Sequence, residues 1–428
     1  MQLHYLKSFR RMDPGQAILA GLAILGGGLG PADAQTKVFA SVTELTLPVG
    51  QGAQEPSLFA MDDGRVLMSW IEKAGKVGTV KTAIGDASGW SGPVTVAQSE
   101  AVVVNWADFP SVAAFPDGTL ATQWLVENGP SAYEYDVNIS LSSDTGRTWG
   151  DVIVPHRDRS RRQHGFATIL PVAQDGLITV WLDGRAYDVD AMGAAQDAFG
   201  NAMQLRATTI TPDGRQSDDI LLDARTCTCC QTSGAVTGDG DILVVYRDRT
   251  AAEIRDISLV RRVDGVWSKP ATIYADGWEI DGCPINGPAI DARGDNAVVA
   301  WFTGAQDKAR VNLAFSDNSG ARFAPAIRIS KGEAAGRVDV TQLDDGSALV
   351  TWVEWTELGE VLLVCRAFPE TGCDGRQVIA LNTRDDSLNF PSMVRSGDNI
   401  YIAWTQPLRG RTKGRGLNVT VRMVLARL

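Results

Sequence analysis

Asp63-Gly-Arg-Val-Leu-Met-Ser-Trp70 decides the fold, because it comes back. Asp117-Gly-Thr-Leu-Ala-Thr-Gln-Trp124, Asp175-Gly-Leu-Ile-Thr-Val-Trp181 and Asp239-Gly-Asp-Ile-Leu-Val-Val-Tyr246 follow it. Gly294-Asp-Asn-Ala-Val-Val-Ala-Trp301, Asp345-Gly-Ser-Ala-Leu-Val-Thr-Trp352 and Gly397-Asp-Asn-Ile-Tyr-Ile-Ala-Trp404 complete the series. The aromatics are separated by 54, 57, 65, 55, 51 and 52 residues. A period near 50 marks a propeller, a solenoid or an array.

Each copy is a turn followed by a strand. Asp-Gly between two apolar runs is a strong hairpin signal. A short run precedes most turns, as in Pro56-Ser-Leu-Phe-Ala-Met61, Pro110-Ser-Val-Ala-Ala-Phe115 and Pro391-Ser-Met-Val394. An alternating strand and a last strand follow the aromatic; in the second unit they fall at 137–142 and 151–155. Four antiparallel strands per unit make one propeller blade. The pattern predicts an all-β protein, a β-propeller of seven four-stranded blades over 55–428, with six blades as the alternative. The seventh unit has three strands, at 391–394, 400–404 and 417–425. The segment 42–49 is expected to supply its fourth strand and close the ring, which removes exposed sheet edges. The blade aromatics are expected to pack between neighbouring blades.

The chain has 428 residues, 44% hydrophobic and 21% charged, which suits a large globular core and excludes a mainly disordered chain. Its formal charge of -11 opposes a phosphate backbone, so nucleic acid is excluded as a general partner. Residues 1–34 read as an export signal, cleaved or retained as an anchor. Lys7, Arg10 and Arg11 precede the apolar run 18–29, and Ala32-Asp-Ala34 offers a small-x-small cleavage pattern. The expected domains are this leader and a propeller over 35–428, exported to the periplasm or the extracellular space. No stable membrane span is expected once the leader is removed, because no other apolar stretch reaches ~20 residues. Six Cys in an exported chain make disulfides the default. Cys365 and Cys373 flank a turn and suit a local bridge.

Ser142-Ser-Asp144-Thr-Gly146-Arg-Thr-Trp149 resembles the Asp box, S-x-D-x-G-x-x-W, of the sialidase-like BNR-repeat propellers. It falls at the turn between third and fourth strands, where that family carries it. Ser316-Asp-Asn318-Ser-Gly320-Ala-Arg-Phe323 is a degenerate copy, and Asp264-Gly-Val-Trp267 a shorter one. The box is a structural device of the family. Ser and Asp side chains brace a tight turn, Gly supplies positive φ, and Trp packs beneath. The resemblance implies the propeller fold and a glycan site where loops converge around the channel. Sialidases carry Arg two positions before Pro in the first blade, as part of an arginine triad that grips a carboxylate. Here the Pro-bearing starts are Gln54-Glu-Pro56, Asp108-Phe-Pro110 and Asn389-Phe-Pro391, none with Arg there. The resemblance therefore carries the fold and the place of a site, not the catalytic roles.

We call the face on which each innermost strand begins the top face. Counting back from the aromatics puts Asp108, His164, Cys230 with Cys229, and Cys283 there on consecutive units. Three readings stay open for the cysteines. They form a disulfide of Cys283 with Cys229 or Cys230, or a zinc or copper site of His164, Cys229, Cys230 and Cys283, or a redox thiol. His4 is in the leader and His156 falls on an outer strand, leaving His164 as the well-placed imidazole. Loops after the second strands add charge. Asp183 and Arg185 open a long loop, 183–202; Arg247, Asp248 and Arg249 form its counterpart, and Glu354 follows Trp352. Glycosidases use paired carboxylates roughly 5 to 10 Å apart. Asp108, Asp183, Asp248 and Glu354 are therefore candidate catalytic residues. Arg185, Arg247 and Arg249 are candidates for binding an acidic sugar or other anion. The alternative is that these Asp and Arg pair and brace the loops. Asp188, Asp190 and Asp197 offer calcium ligands without EF-hand spacing.

Two functions are expected from these residues. The first is an exported sialidase-like propeller that recognises a glycoside and, as an enzyme, hydrolyses it, with no cofactor required. The second is a non-catalytic ligand- or partner-binding propeller with a metal or redox site. Its partners would be a glycan or a small molecule.

Overall fold

The computed structural model describes residues 37–172, 176–187, 202–383, 387–408 and 418–428. The expected leader at 1–34 and the acidic positions 188, 190 and 197 lie outside them. Seven antiparallel sheets follow one another along the described chain. Blade 1 begins at Ala53–Ala60, blade 2 at Ser111–Ala114, blade 3 at His164–Val172 and blade 4 at Ser233–Val236. Blades 5, 6 and 7 begin at Ala289–Arg293, Glu333–Gln342 and Ser392–Ser396. Among the described residues the one helical element is a 3-10 turn, Ala305–Asp307. In blade 2 the outer segment is joined by a single bridge, Ile139 to Ile153.

Closure follows the expected route. Ser41–Glu44 pairs antiparallel with the last strand, Val419–Arg427, and becomes the outer strand of blade 7. The strand is shorter than the 42–49 run, because pairing stops after the Leu45 amide meets Met423.

The blade aromatics are buried, and each packs on the preceding blade. Trp124 meets Ile71 and Val80, and Trp181 meets Ala113 and Leu125. Tyr246 meets Val180, Trp301 meets Val245 and Trp352 meets Val298. Trp404 meets Leu349, and Tyr401 and Ala403 meet Trp70. These large rings remove apolar area from water at every blade junction, so the core is a closed chain of clusters.

The turns are built locally. Ser142 Oγ accepts from the Gly146 amide at 2.9 Å, and Asp144 Oδ1 accepts from the Thr148 amide at 2.9 Å. Ser316 and Asn318 repeat the pattern with the amides of Gly320 and Arg322, both at 3.0 Å.

The innermost strands line a channel of about 450 Å³. Several bulge where they begin: pairing shifts between Gln54 and Ser57, Gly165 and Thr168, and Gly336 and Asp339. Glu55, Phe166 and Arg337 sit at these bulges with φ of 57°, 52° and 56°. A bulge re-aims the side chains that follow, and here it sets what the top face presents.

Candidate functional site

The top face separates into two groups of chemistry-bearing side chains. The first lies where blades 2 and 3 meet. Tyr135–Ser142 begins there, His164–Val172 begins there, and Gly176–Asp183 ends there. Register sets His164 opposite Asp183. His164 Nδ1 is 3.2 Å from Asp136 Oδ1, and its Nε2 is 3.2 Å from Asp158 Oδ2 and 3.8 Å from Asp183 Oδ2. Burial alone would lower the His164 pKa. The close contact with Asp136 and the charges of Asp183, Asp136 and Asp158 outweigh it and raise the pKa. A carboxylate thus faces each ring nitrogen, an arrangement that favours the charged form of the imidazole. His156 stacks on it, ring centres 3.8 Å apart, with Nε2 3.2 Å from the same Asp136 oxygen. Burial would raise the Asp136 pKa, but the close contacts with His156 and His164 hold it well below the usual carboxylate range.

His156 reaches this place because residues 155–163 cross from blade 2 to blade 3. That segment carries Arg157, Arg159, Arg161 and Arg162. It borders a cleft of about 570 Å³ lined by Asn128, Asp136, His156, Asp158, Arg159 and Arg161, among others. Arg157 pairs with Asp218 at 2.5 Å. Arg159 and Arg161 are exposed, and neither has an ion-pair or hydrogen-bond partner among the described residues.

The expected acids are each engaged. Asp108 is 3% exposed and accepts from the Phe166 amide with both oxygens, at 2.9 and 2.8 Å. A Cβ on Gly165 would come within 2.3 Å of Asp108 Oδ2, so the close approach requires glycine there. Burial pushes the Asp108 pKa up to about 7 against the bonds from Phe166 and Tyr135. The bond crosses from blade 2 to blade 3. Similar bonds run from Gly287 N to Gln231, from Arg337 N to Asn286, and from Asn389 to Glu55. Asp108 is one stitch in a set joining neighbouring blades.

Asp183 is fully buried and accepts from Trp181 Nε1 at 2.8 Å and from Arg185 Nε at 2.7 Å. Arg185 also meets Asp219. Glu354 accepts from Trp352 Nε1 at 2.8 Å. Glu72 and Gln406 do the same for Trp70 and Trp404, at 3.0 and 2.9 Å. An acceptor two residues after the blade tryptophan is thus a recurring way to satisfy a buried indole. That spacing is visible in the sequence as Trp-x-acid or Trp-x-Gln. Asp248 accepts from Ser258 and the Arg249 amide; burial and the nearby Asp223 raise its pKa to about 6.

Arg247 is 1% exposed and donates to the carbonyls of Asn286, Arg255 and Phe302 beneath Trp278. Arg249 pairs with Glu253 at 2.7 Å. Of the pairings between candidate acids and arginines, Arg185 with Asp183 is formed, while Arg247 and Arg249 take other partners.

The second group lies on blades 4 and 5. Cys229 is bonded to Cys283, with Cα atoms 6.1 Å apart. Cys365 is bonded to Cys373. Cys227 and Cys230 are buried free thiols 3.5 Å apart, and Cys227 Sγ is 4.0 Å from Cys229 Sγ. Arg255 Nη1 donates to Cys227 Sγ at 3.4 Å. The hydrogen bond with Cys230, aided by the charges of Arg255 and Arg247, lowers the Cys227 pKa despite burial. Burial and the neighbouring Cys227 push Cys230 well above the usual thiol range. The grouping of His164 with Cys229, Cys230 and Cys283 is not formed: His164 faces carboxylates, and two of the sulfurs are spent in a disulfide.

Sequence reasoning passed over three features. His156 joins His164 through a loop whose path no periodicity encodes. Arg159 and Arg161 stand in a charge run that was readable as such. Trp106, 37% exposed, stacks on Phe390 at 5.9 Å beneath Arg337, which ties blades 6 and 7 to the segment entering blade 2.

No family model matches this chain, and no curated protein sequence does. Solved structures do match. The BP39L lectin from Burkholderia pseudomallei is 12% identical over 83% of this chain and 94% of its own, with a TM-score of 0.56. A protein of unknown function from Dyadobacter fermentans is 12% identical over 91% of this chain and 99% of its own, with a TM-score of 0.49. A variant of the NanB sialidase from Streptococcus pneumoniae is 13% identical over 90% of this chain and 70% of its own, with a TM-score of 0.48. At these identities the likeness is one of fold.

Proposed function

We propose that this chain binds an acidic saccharide in the cleft between blades 2 and 3. The observation that carries the reading is the pair Arg159 and Arg161, exposed at a cleft and unpaired among the described residues, in a chain whose net charge is -11. Guanidinium groups match carboxylate and sulfate geometry, and such a patch on an acidic protein selects anions. Asp136 and Asp158 stand ionised beneath them and accept hydroxyl hydrogen bonds from a sugar ring. Burial acts to raise the Asp158 pKa, but Ser160 and the charges of His164 and Arg185 lower it on balance.

Recognition is favoured over hydrolysis. Asp108, Asp183, Asp248 and Glu354 each hold a backbone amide, an indole or a guanidinium, and the carboxylates that line the cleft are ionised rather than poised to donate a proton. The test is calorimetric titration with a sialylated oligosaccharide, a hexuronate oligosaccharide and a neutral oligosaccharide of equal length. Binding of an acidic ligand that weakens at least tenfold in Arg159→Ser/Arg161→Ser, with no binding of the neutral one, is expected. Equal binding in the double variant overturns the reading. Reducing-sugar release during the titration would restore hydrolysis.

A further inference from the structure

We propose that the four cysteines on blades 4 and 5 form an internal thiol–disulfide relay, in which one disulfide passes between the exposed pair Cys229–Cys283 and the buried pair Cys227–Cys230. Three sulfurs, those of Cys227, Cys229 and Cys230, lie within 4.8 Å of one another. Cys227 and Cys230 have the C-x-x-C spacing and are already 3.5 Å apart. Cys283 is exposed and Cys229 half-buried, so the existing bond faces solvent while the free thiols do not.

Two observations choose exchange over metal binding. Arg255 Nη1 donates to Cys227 Sγ at 3.4 Å, and the Arg247 guanidinium is buried nearby. Fixed cations repel a further cation but favour a thiolate, the nucleophile of thiol–disulfide exchange. Cys229 is also the only sulfur within 4.0 Å of Cys227 that already carries a disulfide among the described residues.

The relay runs in two balanced steps. In the first, the Cys227 thiolate attacks Cys229 Sγ. The Cys227–Cys229 bond forms, the Cys229–Cys283 bond breaks, and its electron pair leaves on Cys283, which takes a proton from water. In the second, Cys230 gives up its proton to water and attacks Cys227 Sγ. The Cys227–Cys230 bond forms, the Cys227–Cys229 bond breaks, and Cys229 leaves as a thiolate that is protonated in turn. One disulfide and two thiols are present before and after, so no outside oxidant or reductant is consumed. The result turns an exposed disulfide into an exposed dithiol, which suits exchange with a disulfide-bearing partner.

The test is native alkylation of the full chain. The protein is held for hours with iodoacetamide and no reductant, a span that covers uncatalysed rearrangement. Trypsin then separates Cys283 from the peptide that carries the other three cysteines, and disulfides are mapped by mass spectrometry. The relay expects adducts on Cys229 and Cys283 and a Cys227–Cys230 disulfide. In Cys230→Ser the exchange stops after the first step, leaving an adduct on Cys283 and a Cys227–Cys229 bond. In Cys227→Ser no adduct forms on Cys283. Adducts confined to Cys227 and Cys230, or none until the chain is unfolded, overturn the proposal. The wild-type result alone decides it, so a variant that fails to fold does not blunt the test.

Discussion

Asp108 separates a structural from a catalytic role most cleanly. Its carboxyl accepts the Phe166 amide across the junction of blades 2 and 3, and burial raises its pKa from 3.8 to about 7. Asp108→Asn keeps an acceptor for that amide and cannot ionise. Asp108→Ala leaves the buried amide without a partner, at a cost of roughly 1–3 kcal/mol. The pH dependence has a definite sign. Between the unfolded and folded pKa values the unfolded chain has lost the proton and the native one keeps it. The wild type therefore loses stability as pH rises from about 4 to about 7, then levels off. About three pKa units at 1.36 kcal/mol each set an upper bound of about 4 kcal/mol. For a chain of this length that is a Tm change of roughly 8 °C or less. Scanning calorimetry of wild type and Asp108→Asn from pH 4 to 8 reads it directly. The two should match near pH 4, and the Asn variant should gain on the wild type up to pH 7. A difference that does not change with pH refutes the burial argument. Loss of saccharide binding in the Asn variant at unchanged Tm would place Asp108 in the ligand site instead of the blade junction.

Further outcomes follow from the same geometry. Gly165→Ala should lower Tm by several degrees in calorimetry, because its methyl would displace the Asp108 carboxyl from the Phe166 amide. Glu354→Gln should cost under ~1 kcal/mol and Glu354→Ala about 1–3 kcal/mol in denaturant unfolding, since only the second leaves the Trp352 indole unpaired. His164 has a raised pKa, so its stabilisation is complete below the unfolded value near 6.5 and is lost as pH rises through the folded one; His164→Gln should flatten that part of the stability–pH curve. Deleting residues 37–46 should expose the edge of Val419–Arg427 and yield oligomers in size-exclusion chromatography.

The sequence alone determined the wheel. Asp-Gly turns, alternating strands and a recurrent aromatic are local signals, and each unit needs a neighbour to cover its ring, so repetition implies closure. The ring-closing strand was legible for the same reason, as the seventh unit lacked one. Which side chains meet on the top face was decided by tertiary structure. Bulges at Glu55, Phe166 and Arg337 turn the strand starts, and a one-residue slip reverses every side chain after it. Hence Asp108 meets the Phe166 amide across a blade junction, while His156, read as an outer-strand residue, came to rest on His164. A bond from Cys283 to Cys229 or Cys230 was legible, because the repeat puts them at the starts of adjacent units; that Cys229 is the partner was decided by the packing of the two blades.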